Sequence, residues 1–146
     1  MSKPNRYLPT NGGTKFITDG GLETTLIFHD GIDLPQFASF DLLKTSEGCA
    51  HLRAYYERYL DLAKIAQAGF ILESPTWRAN RDWAQKIGYD ETELDGLICK
   101  SIELMADLRD QYHSDTTPCL ISGNIGPRGD GYVPAERMSI DQARDY

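Results

Sequence analysis

The stretch Ala68-Gly69-Phe70-Ile71-Leu72-Glu73-Ser74-Pro75-Thr76-Trp77 breaks sharply in character after three large apolar residues. Phe70-Ile71-Leu72 is the continuous apolar run expected of a strand covered on both faces. It gives way at Glu73 to a polar segment containing one large aromatic. What flanks this strand decides the class. Upstream, from Glu47 to Gln67, apolar residues fall at Leu52, Tyr55, Tyr56, Tyr59, Leu60 and Ala63, the spacing of one buried helical face. Ser46 is placed to cap that helix and Gly69 to stop it. A tyrosine stripe at this spacing reads as packing rather than as a stacking platform for bases. Downstream, Glu91 to Tyr112 repeats the helical pattern through Leu94, Leu97, Ile98, Met105 and Leu108.

Two further short strands follow the same logic. Lys15 to Thr18 ends at Gly20-Gly21, and Cys119 to Ser122 runs into Gly123-Asn124-Ile125-Gly126-Pro127. Residues 29–46 carry no sustained period and read as a long, partly ordered connection. Ser139 caps a last helix, Ile140 to Tyr146, and residues 1–13 read as a flexible lead-in. The order is strand, helix, strand, helix, strand, start of helix. Helical connections of this length between buried strands predict parallel βαβ units, hence an α/β fold.

Composition narrows the partners. The 146 residues carry 15 Lys and Arg against 22 Asp and Glu, a formal charge of −7. No basic cluster could neutralise a run of phosphates, which argues against nucleic acid. Nor is any apolar run long enough to cross a bilayer, and the N-terminus has no signal-peptide core, so no membrane role and a cytoplasmic location are expected. The 3 cysteines, Cys49, Cys99 and Cys119, are scattered and odd in number. They read as reduced, small buried hydrophobes.

Each strand is followed at once by residues suited to a site, and parallel α/β folds place ligands at those strand ends. Thr18-Asp19-Gly20-Gly21-Leu22-Glu23-Thr24-Thr25-Leu26 lacks the GxGxxG and GK[ST] spacings, and Asp19 would repel a phosphate. From local composition alone it reads as a turn. Glu73 alone could be a solvated strand-end carboxylate, Trp77 a packed loop aromatic, and Asn124 a turn former.

Taken together, the motifs resemble one family. DGGLETTL after the first strand, AGFILESPTWRAN at the second, CKSIELMADLRDQY as the second long helix, SGNIGPRGDGYV at the third strand and the final ARDY keep the order and rough spacing of the homocysteine S-methyltransferases from Phe16 to Tyr146. The resemblance implies a (β/α)8 TIM barrel, incomplete here, with residues 14–146 supplying the first three βα units. It implies methyl transfer from a donor to the thiol of homocysteine, giving methionine. It also implies zinc, which in the family is held by three cysteines, one alone and an adjacent pair after glycines. Those cysteines lie in the second half of the barrel, and no cysteine here matches a ligand position, so no metal ligand is assigned to this chain.

Carried over by the same resemblance, Asp19 would hold the substrate ammonium group while Gly20 and Gly21 let backbone approach it. Glu73 and Thr76 would line the second strand end with Trp77 as an apolar wall. Asn124 and Gly126 would contribute from the third. Thr25 stands where many relatives carry an acidic residue. His29, His51 and His113 match no family motif and are expected at the surface. A barrel of this kind needs about 250 residues. The expectation is therefore a chain inactive alone, which self-associates or needs the missing half of the barrel; the alternative is a non-catalytic ligand-binding module that pairs with another chain.

Overall fold

The computed structural model describes residues 13–133 and 137–146; all but the last residue of the expected lead-in, 1–13, lies outside them. Three strands, β1 (Phe16–Thr18), β2 (Gly69–Glu73) and β3 (Cys119–Ser122), form a parallel sheet in the order β1-β2-β3. Ile17 lies opposite Phe70, Phe70 opposite Cys119, and Leu72 opposite Ile121. Paired residues share a face, so these five point one way, while Thr18, Ile71, Leu120, Glu73 and Ser122 point the other.

The first face carries the core. Helices α2 (Ser46–Ala66) and α4 (Glu91–Tyr112) pack on it. Leu52, Tyr55, Tyr56, Leu60 and Ala63 of α2 and Met105 and Leu108 of α4 are fully buried with Phe70 and Leu72. The helical spacing in the sequence thus translates directly into the buried stripe. On the second face Ile71 and Leu120 are only half-buried and Glu73 is exposed, so β2 is covered on one side rather than on both.

Several boundaries move from their expected residues. The α2 cap is Thr45, whose Oγ1 accepts the Gly48 N–H at 3.0 Å, not Ser46. The helix ends at Gln67, left-handed at φ 48°, two residues before Gly69. Gly69 instead opens β2 under the Phe16 ring, where a Cβ would meet a ring carbon at 2.5 Å. Helix α4 matches its expected span and starts on a reciprocal capping box between Asp90 and Glu93.

Between β1 and α2 the chain is more ordered than its pattern suggests. A short helix α1 (Leu22–Phe28) is followed by two 3-10 turns at Pro35–Phe37 and Ser39–Lys44. Leu34, Ala38, Phe40 and Leu43 are buried there, making this connection part of the core. A further short helix, α3 (Arg81–Lys86), is capped by the Asn80 side chain and was not expected. Helix α5 (Ile140–Asp145) starts on Ser139 as expected. Among the cysteines Cys119 is buried and Cys49 half-buried, but Cys99 is exposed, so not all three act as buried hydrophobes. His29, His51 and His113 are exposed. No helix among the described residues is long and apolar enough to cross a membrane.

Candidate functional site

Because the strands are parallel, the segments leaving their carboxyl ends meet at one edge of the sheet. Asp19, Gly20 and Gly21 follow β1, Glu73 ends β2, and Asn124 follows β3. All five line one cleft of about 90 Å³, which Glu23, Tyr56 and Ser74 also border. Three carboxylates face this space, and among the described residues that line it none is Lys, Arg or His. A larger hollow of about 340 Å³ is lined only by the loop Pro127–Val133. It holds none of the strand-end acids, which line the smaller cleft.

The acids are held from beneath. The Tyr55 hydroxyl donates to Asp19 Oδ2 at 2.9 Å, and the Tyr56 hydroxyl donates to the Glu73 carbonyl at 2.6 Å. Ser39, itself buried, donates to Glu23 Oε1 at 2.7 Å. Burial pushes the Asp19 carboxyl up to about 6; the Tyr55 hydrogen bond works against that shift, and the charges of Glu73 and Glu23 add to it. Burial, followed by the neighbouring Asp19 charge, drives the Tyr55 phenol well above its usual range. Tyr55 therefore stays a donor at any physiological pH.

Tyr59 completes the tyrosine row. Its hydroxyl lies so close to Gly20 that a Cβ there would be 2.7 Å away. Tyr55 packs against Tyr59 and Tyr56 with ring centroids 5.2 Å apart in both pairs. The rings are core, as their spacing indicates. Two of their hydroxyls, however, hold the strand ends, a role that helical periodicity cannot display. The signal available in the sequence is three tyrosines, rather than three leucines, on a buried face directly beneath an acidic turn.

Thr76, Trp77 and Gly126 stand outside the cleft lining. The Thr76 hydroxyl donates to the Asn124 carbonyl at 2.7 Å, and the Asn124 N–H donates to Ser74 Oγ at 3.0 Å. With both of those protons committed, the 2.7 Å contact between Ser74 and Thr76 must use the Ser74 proton. The result is a closed circuit that ties the end of β2 to the end of β3.

Trp77 belongs to a second clamp. The Arg78 guanidinium, 6% exposed, lies 4.1 Å from the Trp77 ring centre and 3.8 Å from that of Trp83. Arg78 Nη1 and Trp83 Nε1 both donate to the Gly129 carbonyl at 3.3 Å. Two indole faces thus take up a buried cation whose Nε has no hydrogen-bond partner among the described residues. Gly126 fits against the Trp77 backbone in the same region.

Among the described residues no three of His, Cys, Asp and Glu form a group able to hold a metal. Cys119, the cysteine nearest the strand ends in sequence, has its thiol pushed up to about 11, chiefly by burial. A cysteine ligates zinc as its thiolate, so this residue is poorly suited to the task.

Comparison with curated proteins and with solved structures gives no match. The family model for homocysteine S-methyltransferase matches residues 16–146, from the first residue of β1 to the last residue of the chain, and the protein belongs to that family.

Proposed function

We propose that residues 14–146 form the amino-acid-gripping part of a homocysteine S-methyltransferase barrel. The observation that carries this reading is the cleft at the strand ends, faced by Asp19, Glu23 and Glu73 and, among the described residues, by no basic side chain. Such a space favours a cation. At about 90 Å³ it is far below the several hundred Å³ of a site that swallows a whole ligand, and it suits a small head group such as the ammonium of an amino acid. Gly20 and Gly21 keep the approach to Asp19 free of side chains. Asn124 lines the third strand end, and Thr76, Trp77 and Gly126 support the walls rather than touch the ligand.

Members of the family transfer a methyl group to homocysteine. The substrate sulfur, as thiolate, attacks the donor methyl carbon; the new S–C bond forms as the donor's bond to that carbon breaks, and the electron pair leaves with the donor. Zinc supplies the thiolate in the family, but the described residues do not fit it, and their task is to hold the amino-acid end. The (β/α)8 barrel is supported by the parallel order of β1, β2 and β3 and by the half-open face bearing Ile71 and Leu120. Further strands pairing on β1 and β3 would close both edges and fill that face. Partners are homocysteine and a methyl donor, and the reaction is placed in the cytoplasm.

The test uses the complete gene product containing this chain, supplied with zinc, L-homocysteine and, in turn, S-methylmethionine, S-adenosylmethionine, betaine and a methyl folate. Methionine forms with at least one donor, and Asp19→Asn raises KM for homocysteine by about tenfold or more. No methionine with any donor, or an unchanged KM in Asp19→Asn, overturns the proposal.

A further inference from the structure

A charged carboxylate that grips an ammonium must present a fixed oxygen and must stay ionised. Asp19 is poorly provided for on both counts by its own segment. It follows a strand of three residues, and among the described residues no cation bonds to its side chain. Glu73 and Glu23 face it with the same sign of charge. Among the described residues its one side-chain donor is the hydroxyl of Tyr55, which comes from a different element, the middle of α2. Tyr55 is fully buried, packed edge-on to Tyr56 and against Tyr59, and cannot turn away without opening the core.

We infer that Tyr55 is a positioning residue for ligand binding: its hydroxyl pins Asp19 Oδ2, leaving Oδ1 free to meet a cationic group in the cleft. This rests on the reading of the cleft as an ammonium site and adds a requirement to it. The groups that face the Asp19 carboxylate are Tyr55 from α2, Glu73 from β2 and Glu23 from α1. Of these Tyr55 alone favours the ionised form. Removing its proton donor leaves only the Asp19 backbone N–H to oppose the two carboxylates and the burial.

Two measurements separate this inference from the functional reading. The first needs no ligand: carbon NMR of the Asp19 carboxyl, assigned with Asp19→Asn, is followed against pH in the wild type and in Tyr55→Phe. A hydrogen bond to a charged group of this kind corresponds to about one pH unit, so the Tyr55→Phe midpoint rises by about that amount. Replacing Tyr55 with 3-fluorotyrosine, a stronger donor on the same ring, moves the midpoint down, and this keeps the inference testable if Tyr55→Phe does not fold. A midpoint that stays put in Tyr55→Phe, or that fails to fall with the fluorinated ring, overturns the inference.

The second measurement is the affinity for L-homocysteine across pH in the complete gene product. Tyr55→Phe weakens binding about tenfold near pH 7, and the pH at which half the affinity is lost moves up in step with the Asp19 midpoint. A merely structural role would lower stability without moving either midpoint. If the carboxyl midpoint moves but the wild type binds no homocysteine, the functional reading fails and the pinning of Asp19 by Tyr55 stands. If homocysteine binds and its pH dependence is the same in both proteins, the positioning role fails and the functional reading stands.

Discussion

Gly126 lies flat against the backbone of Trp77: a Cβ at Gly126 would sit 1.9 Å from the Trp77 carbonyl oxygen and 2.6 Å from its indole Cδ1. The neighbour is main chain, which cannot swing aside as the tip of a flexible side chain can. Gly126→Ala therefore forces the β2 and β3 loops apart, at a cost of about 1–3 kcal/mol, the range seen when a packed interior is overfilled. The melting temperature falls by several degrees. A variant as stable as the wild type shows that the loops do not touch in this way.

Gly20 is tight for a different reason. Its would-be Cβ meets the Tyr59 hydroxyl at 2.7 Å, and the atom in the way is the end of a side chain. Gly20→Ala destabilises the protein, and adding Tyr59→Phe, which removes that oxygen, restores most of the loss. Thermal melts of the two single variants and the double variant measure the coupling as a cycle. Additive losses would mean that Gly20 is needed for its backbone rather than for the space it leaves.

Asp19 carries an electrostatic cost in the folded protein. Its folded carboxyl is raised from the ordinary carboxylate range to about 6, so the folded state binds the proton more tightly than the unfolded chain. Stability then falls as pH rises from about 4 through about 6 and stays reduced above that. Asp19→Asn keeps an oxygen for the Tyr55 hydroxyl and never takes on charge. The variant melts a few degrees higher than the wild type at pH 8, and the gain vanishes by pH 4. A gain of equal size at both pH values rules out the Asp19 charge as its source.

The long elements were legible because their signals repeat. Six apolar positions on α2 and five on α4 outvote any single residue, and three apolar runs ending in polar loops mark β1, β2 and β3. What stayed hidden depends on single contacts. Residues 29–46 build core from 3-10 turns, with Gln36 and Phe37 at φ 54° and 59°, a conformation that no hydrophobic period announces. The helix stop at Gln67 uses a left-handed non-glycine residue, so the nearby glycine was the more visible but incorrect choice. At the candidate site, the acidic and glycine residues were legible by motif and converge on one cleft. Thr76, Trp77 and Gly126 belong to the same motifs yet lie outside that cleft's lining, because motif spacing does not record which way each side chain faces. The hydroxyls of Tyr55 and Tyr56 went unread for the converse reason: a buried helical face explains a tyrosine ring fully and leaves its polar tip unaccounted for.

Ser74 provides the sharpest test of how the cleft wall is built. It is 2% exposed, accepts the Asn124 N–H and passes its own proton to Thr76, which returns one to the Asn124 carbonyl. Ser74→Ala removes both links at once, leaving the Asn124 N–H without its acceptor and Thr76 without its donor, at a cost of about 1–3 kcal/mol. Thr76→Val breaks the circuit one bond further on, so the double variant costs much less than the sum of the two. Asn124 borders the cleft, and its amide is released in Ser74→Ala; amide hydrogen exchange at Asn124 therefore speeds up well beyond that of the β3 amides. Exchange at Asn124 that stays as slow as in the wild type would show that the β3 loop is held without Ser74.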